Sequence, residues 1–180
     1  DWHFSAATRD AYRFKIVNAT FPKLIQEHRV DALLYLGDLT EEKDAHPAEL
    51  VNAVVRVFHK LSTLCPIVML RGNHDWLSSP DNPFFGFLSH LPNIYWVNTP
   101  QALDAIFGKR VPVKGIMLPH SANPERDWSS IDFKAYDWAF AHQTFANAKS
   151  DSGFRLPDVS LSFFPKHLKV VSCDLHSPQV

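Results

Sequence analysis

The stretch Pro66-Ile67-Val68-Met69-Leu70-Arg71-Gly72-Asn73-His74-Asp75 joins an apolar run directly to a glycine and three polar side chains. An apolar run of this length predicts a buried strand, and the glycine behind it predicts a turn. The amide, imidazole and carboxylate that follow are then presented together at the edge of a sheet. Side chains of these kinds are typical ligands of metal ions in proteins. The stretch therefore predicts a metal site where the strand ends.

The composition is that of a soluble chain with one core. The 180 residues are 46 % hydrophobic, which is enough for a single domain spanning residues 1–180. The sequence contains no transmembrane run, no signal-like opening and only two cysteines, so we expect a cytoplasmic location. A formal net charge of -1 gives no global basic field. Both ends are abrupt and polar, which predicts a fragment of a longer protein.

The order of apolar patterns predicts alternating helices and strands. Apolar residues recur at helical spacing over 6–29 and 49–64, and Pro22 is expected to kink or divide the first helix. A short helix is predicted at 84–91, a loop-rich flap at 143–166, and strands at 31–36, 67–70, 94–97, 113–118, 137–141 and 168–171. Strand–helix–strand units give parallel strands whose carboxyl ends meet at one edge. Gly37-Asp38 should therefore lie beside Asn73-His74.

Side chains of ligand type follow these strands and stand near both chain ends. They are Asp1, His3, Asp38, Asn73, His74, His142, Asp174 and His176. Carboxylate oxygens and imidazole nitrogens together suit Mn²⁺, Fe or Zn²⁺, and the lack of cysteine ligand pairs argues against a structural zinc site. A set this large suggests two ions. In two-metal hydrolases the ions lie about 3.5 to 4 Å apart and a bridging hydroxide attacks phosphorus; Asp38 is the natural shared ligand.

Five separated motifs occur in order along the chain. They are Asp1-x-His3, Gly37-Asp38, Gly72-Asn73-His74-Asp75, the lone strand-end His142 and the terminal Leu175-His176. In this order and spacing they resemble the calcineurin-like metallophosphoesterases over nearly the whole chain. The resemblance implies an α/β fold in four layers, an αββα sandwich of two mixed sheets flanked by helices, of which the first strand and a C-terminal part are absent here. It also implies a dinuclear-metal-dependent hydrolase of phosphoesters.

The resemblance further implies a role for each site residue. One ion would be held by Asp1, His3, Asp38 and His176, and the other by Asp38, Asn73, His142 and Asp174. His74 would not bind metal but would face the substrate phosphate as general acid, a role that suits an imidazole titrating near neutrality. Asp75 is a candidate to orient the His74 ring.

The last motif departs from the pattern that it resembles. Cys173-Asp174-Leu175-His176 stands where the family usually has Gly-His-x-His. The carboxylate of Asp174 adds a negative charge and a harder donor, which favours Mn²⁺ or Mg²⁺ over Zn²⁺. If the backbone at Cys173 needs a positive φ, a residue other than glycine carries roughly 1 to 2 kcal/mol of strain. Otherwise the loop takes an ordinary conformation there.

Gly-Asn-His-Asp and Gly37-Asp38-Leu39-Thr40 are more similar to the DNA-repair exonuclease branch than to the Ser/Thr protein phosphatases. This similarity implies a phosphodiesterase or DNA nuclease whose substrate is DNA. It also implies an ATPase partner subunit and a homodimer, and no contact with a membrane is expected. One alternative is a small-molecule phosphomonoesterase or nucleotide phosphodiesterase. Another, of a different class, is a non-catalytic scaffold subunit with a degraded metal site. Arg71 and His120 are candidate substrate-binding residues; an ion pair for Arg71 and a solvent-facing loop for His120 are the competing interpretations.

Overall fold

Two sheets and four α-helices make up the part of the chain that the computed structural model describes, residues 2–108, 111–149 and 159–175. The helices are α1 (Ala11–Glu27), α2 (Ala48–Ser62), α3 (Leu103–Phe107) and α4 (Pro124–Asp127). The strands are β1 (Leu33–Tyr35), β2 (Ile67–Leu70), β3 (Ile94–Val97), β4 (Gln101–Ala102), β5 (Gly115–Leu118), β6 (Trp138–His142) and β7 (Lys169–Cys173). Short 3₁₀ helices lie at Thr8–Asp10, Phe84–His90, Phe133–Ala135 and Leu161–Phe163.

The first sheet has the order β1-β2-β3 and is parallel, and the second has the order β4-β5-β6-β7. In the second sheet only the pair β4–β5 is antiparallel among the described strands. The parallel strands of each sheet therefore end at a common edge, as the strand–helix–strand pattern predicts.

Alternate side chains of the central strands enter different cores. Ile67 and Met69 of β2 pack in the cluster formed with α1 and α2, whereas Val68 and Leu70 pack against Met117 of β5. The opposite face of β5 is covered by aromatic residues from the short helical segments of the second half. Since successive strand side chains point to opposite faces, one core lies between the sheets and one lies on each outer side. The predicted α/β sandwich of two sheets flanked by helices is confirmed, although among the described strands only the second sheet is mixed and the first is parallel.

The helix α1 continues through Pro22 without dividing. Proline has no N–H to donate to the carbonyl four residues earlier, and that carbonyl, on Asn18, accepts a hydrogen bond from Lys60 Nζ of α2 at 3.3 Å instead. The helix is thus supported at its weak point by its neighbour. Leu24, which the periodicity places on the buried face, is 40 % exposed.

The strand boundaries agree with the sequence pattern at β2 and β3 and differ by one or two residues elsewhere. Among the described strands and α-helices, β4, α3 and α4 were not predicted, because two to five residues are too few to show a period. The 3₁₀ helices at Phe133–Ala135 and Leu161–Phe163 were not predicted for the same reason. Part of the predicted flap, 150–158, lies outside the described residues. In the described part of the chain, no helix has the length and apolar character needed to cross a membrane.

The turns after β1 and β2 touch each other at the carboxyl edge. A Cβ atom on Gly37 would lie 2.9 Å from Gly72 Cα, and one on Gly72 would lie 2.6 Å from the backbone nitrogen of Asp38. Gly37 also has a φ of 95°, which L-residues with side chains rarely adopt. Two glycines are therefore required for these turns to approach so closely.

We expect Gly72→Ala to lower the free energy of unfolding by about 1 to 3 kcal/mol, because the added methyl group overlaps Asp38. The matched control is Gly86→Ala, which meets only Pro83 Cγ at 3.1 Å. Neither glycine lies in the left-handed region. Urea unfolding in the presence of EDTA measures both. Equal effects of the two substitutions would contradict the close packing of the turns.

Candidate metal centre

Three side chains from three strand ends converge where the two sheets meet. Asp38 follows β1, His142 ends β6 and Asp174 follows β7, and one ligand atom of each lies within 4.8 Å of the others. His142 Nε2 is 3.4 Å from Asp38 Oδ1 and 3.6 Å from Asp174 Oδ1. An imidazole nitrogen facing two carboxylates is a donor set that suits a divalent cation.

The His142 ring is held with Nε2 aimed into this cluster. Its Nδ1 lies 2.6 Å from the carbonyl oxygen of Leu36. A carbonyl only accepts, so Nδ1 carries a proton, and in the neutral ring Nε2 presents a lone pair to the carboxylates. Histidines that bind metals usually donate their other ring N–H in this way. The ring orientation therefore fits a cation at the centre of the cluster.

The carboxylates of Asp38 and Asp174 favour positive charge on the His142 ring. Burial lowers the pKa of His142, but hydrogen bonds to Asp174 and Asp38 outweigh burial and raise the pKa to about 10. Burial raises the pKa of Asp38, but the hydrogen bonds and positive charge that His142 and His74 supply together outweigh burial and lower the pKa to about 2. The cluster thus attracts positive charge strongly.

Asn73 reaches the same point from the turn after β2. Its side-chain amide lies 2.9 Å from His142 Nε2. With the amide nitrogen turned inward, Asn73 donates to the Asp38 carboxylate, whose oxygens lie 3.2 and 3.3 Å away. With the amide oxygen inward, the same side chain offers a fourth ligand atom. The structure therefore brings together all four residues predicted for one ion.

His3 approaches Asp38 from the other side. His3 Nε2 lies 3.5 Å from Asp38 Oδ2, and His3 Nδ1 lies 3.2 Å from Glu41 Oε2. One oxygen of Asp38 thus faces His142 and the other faces His3, an arrangement that fits a carboxylate shared between two cations. Asp1 and His176, the other residues predicted for this second ion, lie outside the described residues.

His74 is oriented by Glu41, which sequence reasoning did not single out. His74 Nδ1 lies 2.9 Å from the carbonyl oxygen of Glu41, and the His74 backbone N–H donates to Asp38 Oδ1 at 2.9 Å. Nδ1 is therefore the donor to Glu41, and Nε2 is the nitrogen that can exchange a proton. The role of orienting this ring, which the sequence suggested for Asp75, falls to the Glu41 carbonyl. The sequence places the loop 40–47 at the site, because it follows the strand-end Asp38, but nothing in the loop marks Glu41 for this role.

Arg71 and His120 lie beside the centre. Arg71 is 7 % exposed and its Nη2 donates to the carbonyls of Asn98 and His120, so the side chain links the loops after β3 and β5. The ring centroids of His120 and His142 are 6.3 Å apart. Burial lowers the pKa of both the Arg71 guanidinium and the His120 imidazole. Their part in substrate binding stays a prediction.

The backbone strain considered for Cys173 falls one residue later. Cys173 is the last residue of β7 and pairs with His142, whereas Asp174 has a φ of 112°. A residue other than glycine in such a conformation costs about 1 to 3 kcal/mol and persists only where its surroundings hold it. The strain therefore sits on the residue whose carboxylate completes the cluster.

The family model for calcineurin-like phosphoesterases matches residues 1–178. No curated protein matches the chain. The family match covers both sheets and every residue of the cluster, including the carboxylates and imidazoles that converge at the strand ends. The chain therefore belongs to the calcineurin-like phosphoesterases, a family of metal-dependent hydrolases of phosphoesters.

Proposed function

We propose that this chain hydrolyses phosphodiesters, with DNA as its substrate class. The observation that carries the proposal is the position of the Asp174 carboxylate, which lies with Asp38 around His142 Nε2. A neutral imidazole at position 174 would give the centre one negative charge fewer. The negative charge of Asp174 repels a bound phosphoester, and Coulomb energy is proportional to the charge of the phosphoester. It therefore disfavours a dianionic phosphomonoester more than a monoanionic phosphodiester.

The donor set fits two divalent ions. One would be held by Asp38, Asn73, His142 and Asp174; the other would be held by His3 and Asp38 together with Asp1 and His176. When bound, such ions lower the pKa of water so that a nucleophile is available near neutral pH, and they offset the charge that develops on the phosphate. The carboxylate oxygens favour Mn²⁺ or Mg²⁺, and imidazole keeps Fe and Zn²⁺ as alternatives.

His74 supplies the proton that the leaving oxygen of a diester needs. Its Nδ1–H donates to the Glu41 carbonyl, which fixes the ring and leaves Nε2 as the proton donor. Its backbone N–H donates to Asp38, so the ring keeps a fixed position relative to the cluster. A positioned general acid of this kind contributes about 10²- to 10⁴-fold to the rate.

We expect His74→Ala to lower kcat by about 10²- to 10⁴-fold for a diester with an alkoxide leaving group. The loss should be much smaller for a p-nitrophenyl diester, because p-nitrophenolate departs without a proton. Initial rates in excess Mn²⁺ measure both. His59→Ala, at an exposed position of α2, is the control and should leave both rates unchanged. An equal loss for the two substrates would contradict the acid role.

We expect Asp38→Ala to abolish turnover and to disturb both ions, because removing a shared carboxylate unbalances two cations at once. Elemental analysis of the purified protein gives the ions per chain. Asp31→Ala removes an exposed carboxylate before β1 and is the matched control. Two ions retained by Asp38→Ala would show that Asp38 is not shared.

We expect the chain to cleave linear duplex or single-stranded DNA in Mn²⁺ and to hydrolyse bis-p-nitrophenyl phosphate faster than p-nitrophenyl phosphate. EDTA should abolish each reaction, because it removes the ions that would activate water and offset the charge that develops on the phosphate. Robust hydrolysis of the small diester without DNA cleavage would overturn the nuclease proposal. A preference for the monoester would overturn the diester proposal. At most one ion per chain and no turnover would favour the scaffold alternative.

A further inference from the structure

We infer that Asp75 is a positioning residue for the metal centre, whose carboxylate fixes the backbone of the two turns that carry Asp38 and Asn73. The inference rests on the proposed function in one respect, because it takes Asp38 and Asn73 to bind a cation. Asp75 itself is 3 % exposed and lies behind the turns. It is not among the residues predicted to bind metal or substrate.

The carboxylate accepts three backbone hydrogen bonds. Asp75 Oδ2 accepts from the N–H groups of Asp38 at 3.1 Å and Gly72 at 2.6 Å. Asp75 Oδ1 accepts from the N–H group of Leu39 at 2.9 Å. Two of the donors belong to the turn after β1 and one belongs to the turn after β2. The side chain therefore ties two separate chain segments together.

The turn after β1 needs this support. Gly37 has a φ of 95° and Asp38 a φ of 55°, so two left-handed residues follow each other. A residue with a side chain adopts this region at a cost, unless local contacts hold it. Successive backbone N–H groups that point the same way form a concavity that binds an anion. Here the anion is the carboxylate of Asp75.

The same turn aims the Asp38 carboxylate. In this conformation Asp38 Oδ1 lies 3.4 Å from His142 Nε2 and Asp38 Oδ2 lies 3.5 Å from His3 Nε2. The bond from Gly72 N–H fixes the second turn one residue before Asn73. Relaxation of either turn would move one ligand residue relative to the other. Asp75 therefore sets the distance between ligand atoms without contributing one.

The test compares Asp75→Asn with Asp75→Glu in the full chain. Asparagine has the shape of aspartate but only one acceptor oxygen, so its NH₂ group must face at least one of the three backbone donors. We expect Asp75→Asn to lose hydrogen-exchange protection at one or more of these amides in metal-free protein. We also expect its Mn²⁺ affinity, titrated by calorimetry, to fall by about 10- to 100-fold, the usual effect of losing a partner that orients metal ligands. Asp75→Glu keeps the carboxylate, so it should retain part of the amide protection and part of the Mn²⁺ affinity that Asp75→Asn loses.

Two control variants separate the positioning role of Asp75 from the effect of losing a negative charge near the centre and from a general loss of stability. Glu41→Gln removes a negative charge beside His3 without touching the bonds of Asp75, so the protection of the three amides should remain. Val54→Ala shortens a fully buried side chain of α2. It should lower stability while leaving Mn²⁺ affinity unchanged.

Wild-type protection of all three amides in Asp75→Asn overturns the positioning role, even if Mn²⁺ affinity falls, because only the charge of Asp75 would then matter. The positioning role is also overturned if Asp75→Asn loses protection of these amides but binds Mn²⁺ with wild-type affinity. Two results on the wild-type chain would show instead that the proposed function is wrong. One is that the chain binds no Mn²⁺, and the other is that the Mn²⁺-loaded chain hydrolyses no phosphoester. The amide exchange of the metal-free protein does not depend on either result.

Discussion

The contact between the turn after β1 and the turn after β2 is the constraint on which the site depends. The two glycines leave no space between the turns, and the Asp75 carboxylate bonds to backbone N–H groups on both sides. A buried carboxylate must find hydrogen-bond donors, because burial without them is costly. Here the donors are backbone groups of the segments that carry Asp38 and Asn73. Satisfying one buried charge thus fixes the positions of two candidate metal ligands.

The packing of the two sheets supplies the other half of the centre. Asp38 and Asn73 come from the first sheet, whereas His142 and Asp174 come from the second. The core between the sheets therefore sets how far apart the two pairs lie. Arg71 adds a polar link across the same junction, since it bonds to carbonyls after β3 and β5. A substitution that separates the sheets would also separate the ligands.

Two of the converging carboxylates stand on strained backbone. Asp38 and Asp174 both have positive φ angles, of 55° and 112°. Strain of this kind persists only where tertiary contacts hold it, and it is concentrated at functional sites. Asp38 is held by Asp75 and by the backbone N–H of His74, and Asp174 lies beside His142. A bound cation would stabilise the same backbone conformations, because it would attract both carboxylates at once.

The amino-acid pattern predicts the buried strands and the polar residues that end them, and the order of the five motifs, through its resemblance to the metallophosphoesterases, implies the α/β sandwich and the grouping of Asp38, Asn73, His142 and Asp174. An apolar run followed by a polar residue marks a buried strand and its end, and parallel strands bring their ends together within one sheet. This places Asp38 beside Asn73 and His142 beside Asp174, whereas the packing of the two sheets brings the two pairs together. Three features depend on the folded molecule: α1 passes through Pro22, Glu41 orients His74, and Asp75 spans two turns. Each of these features involves a hydrogen bond to a partner more than 30 residues away in the chain. Local pattern carries no information about such partners, because they meet only when the sheets and helices pack.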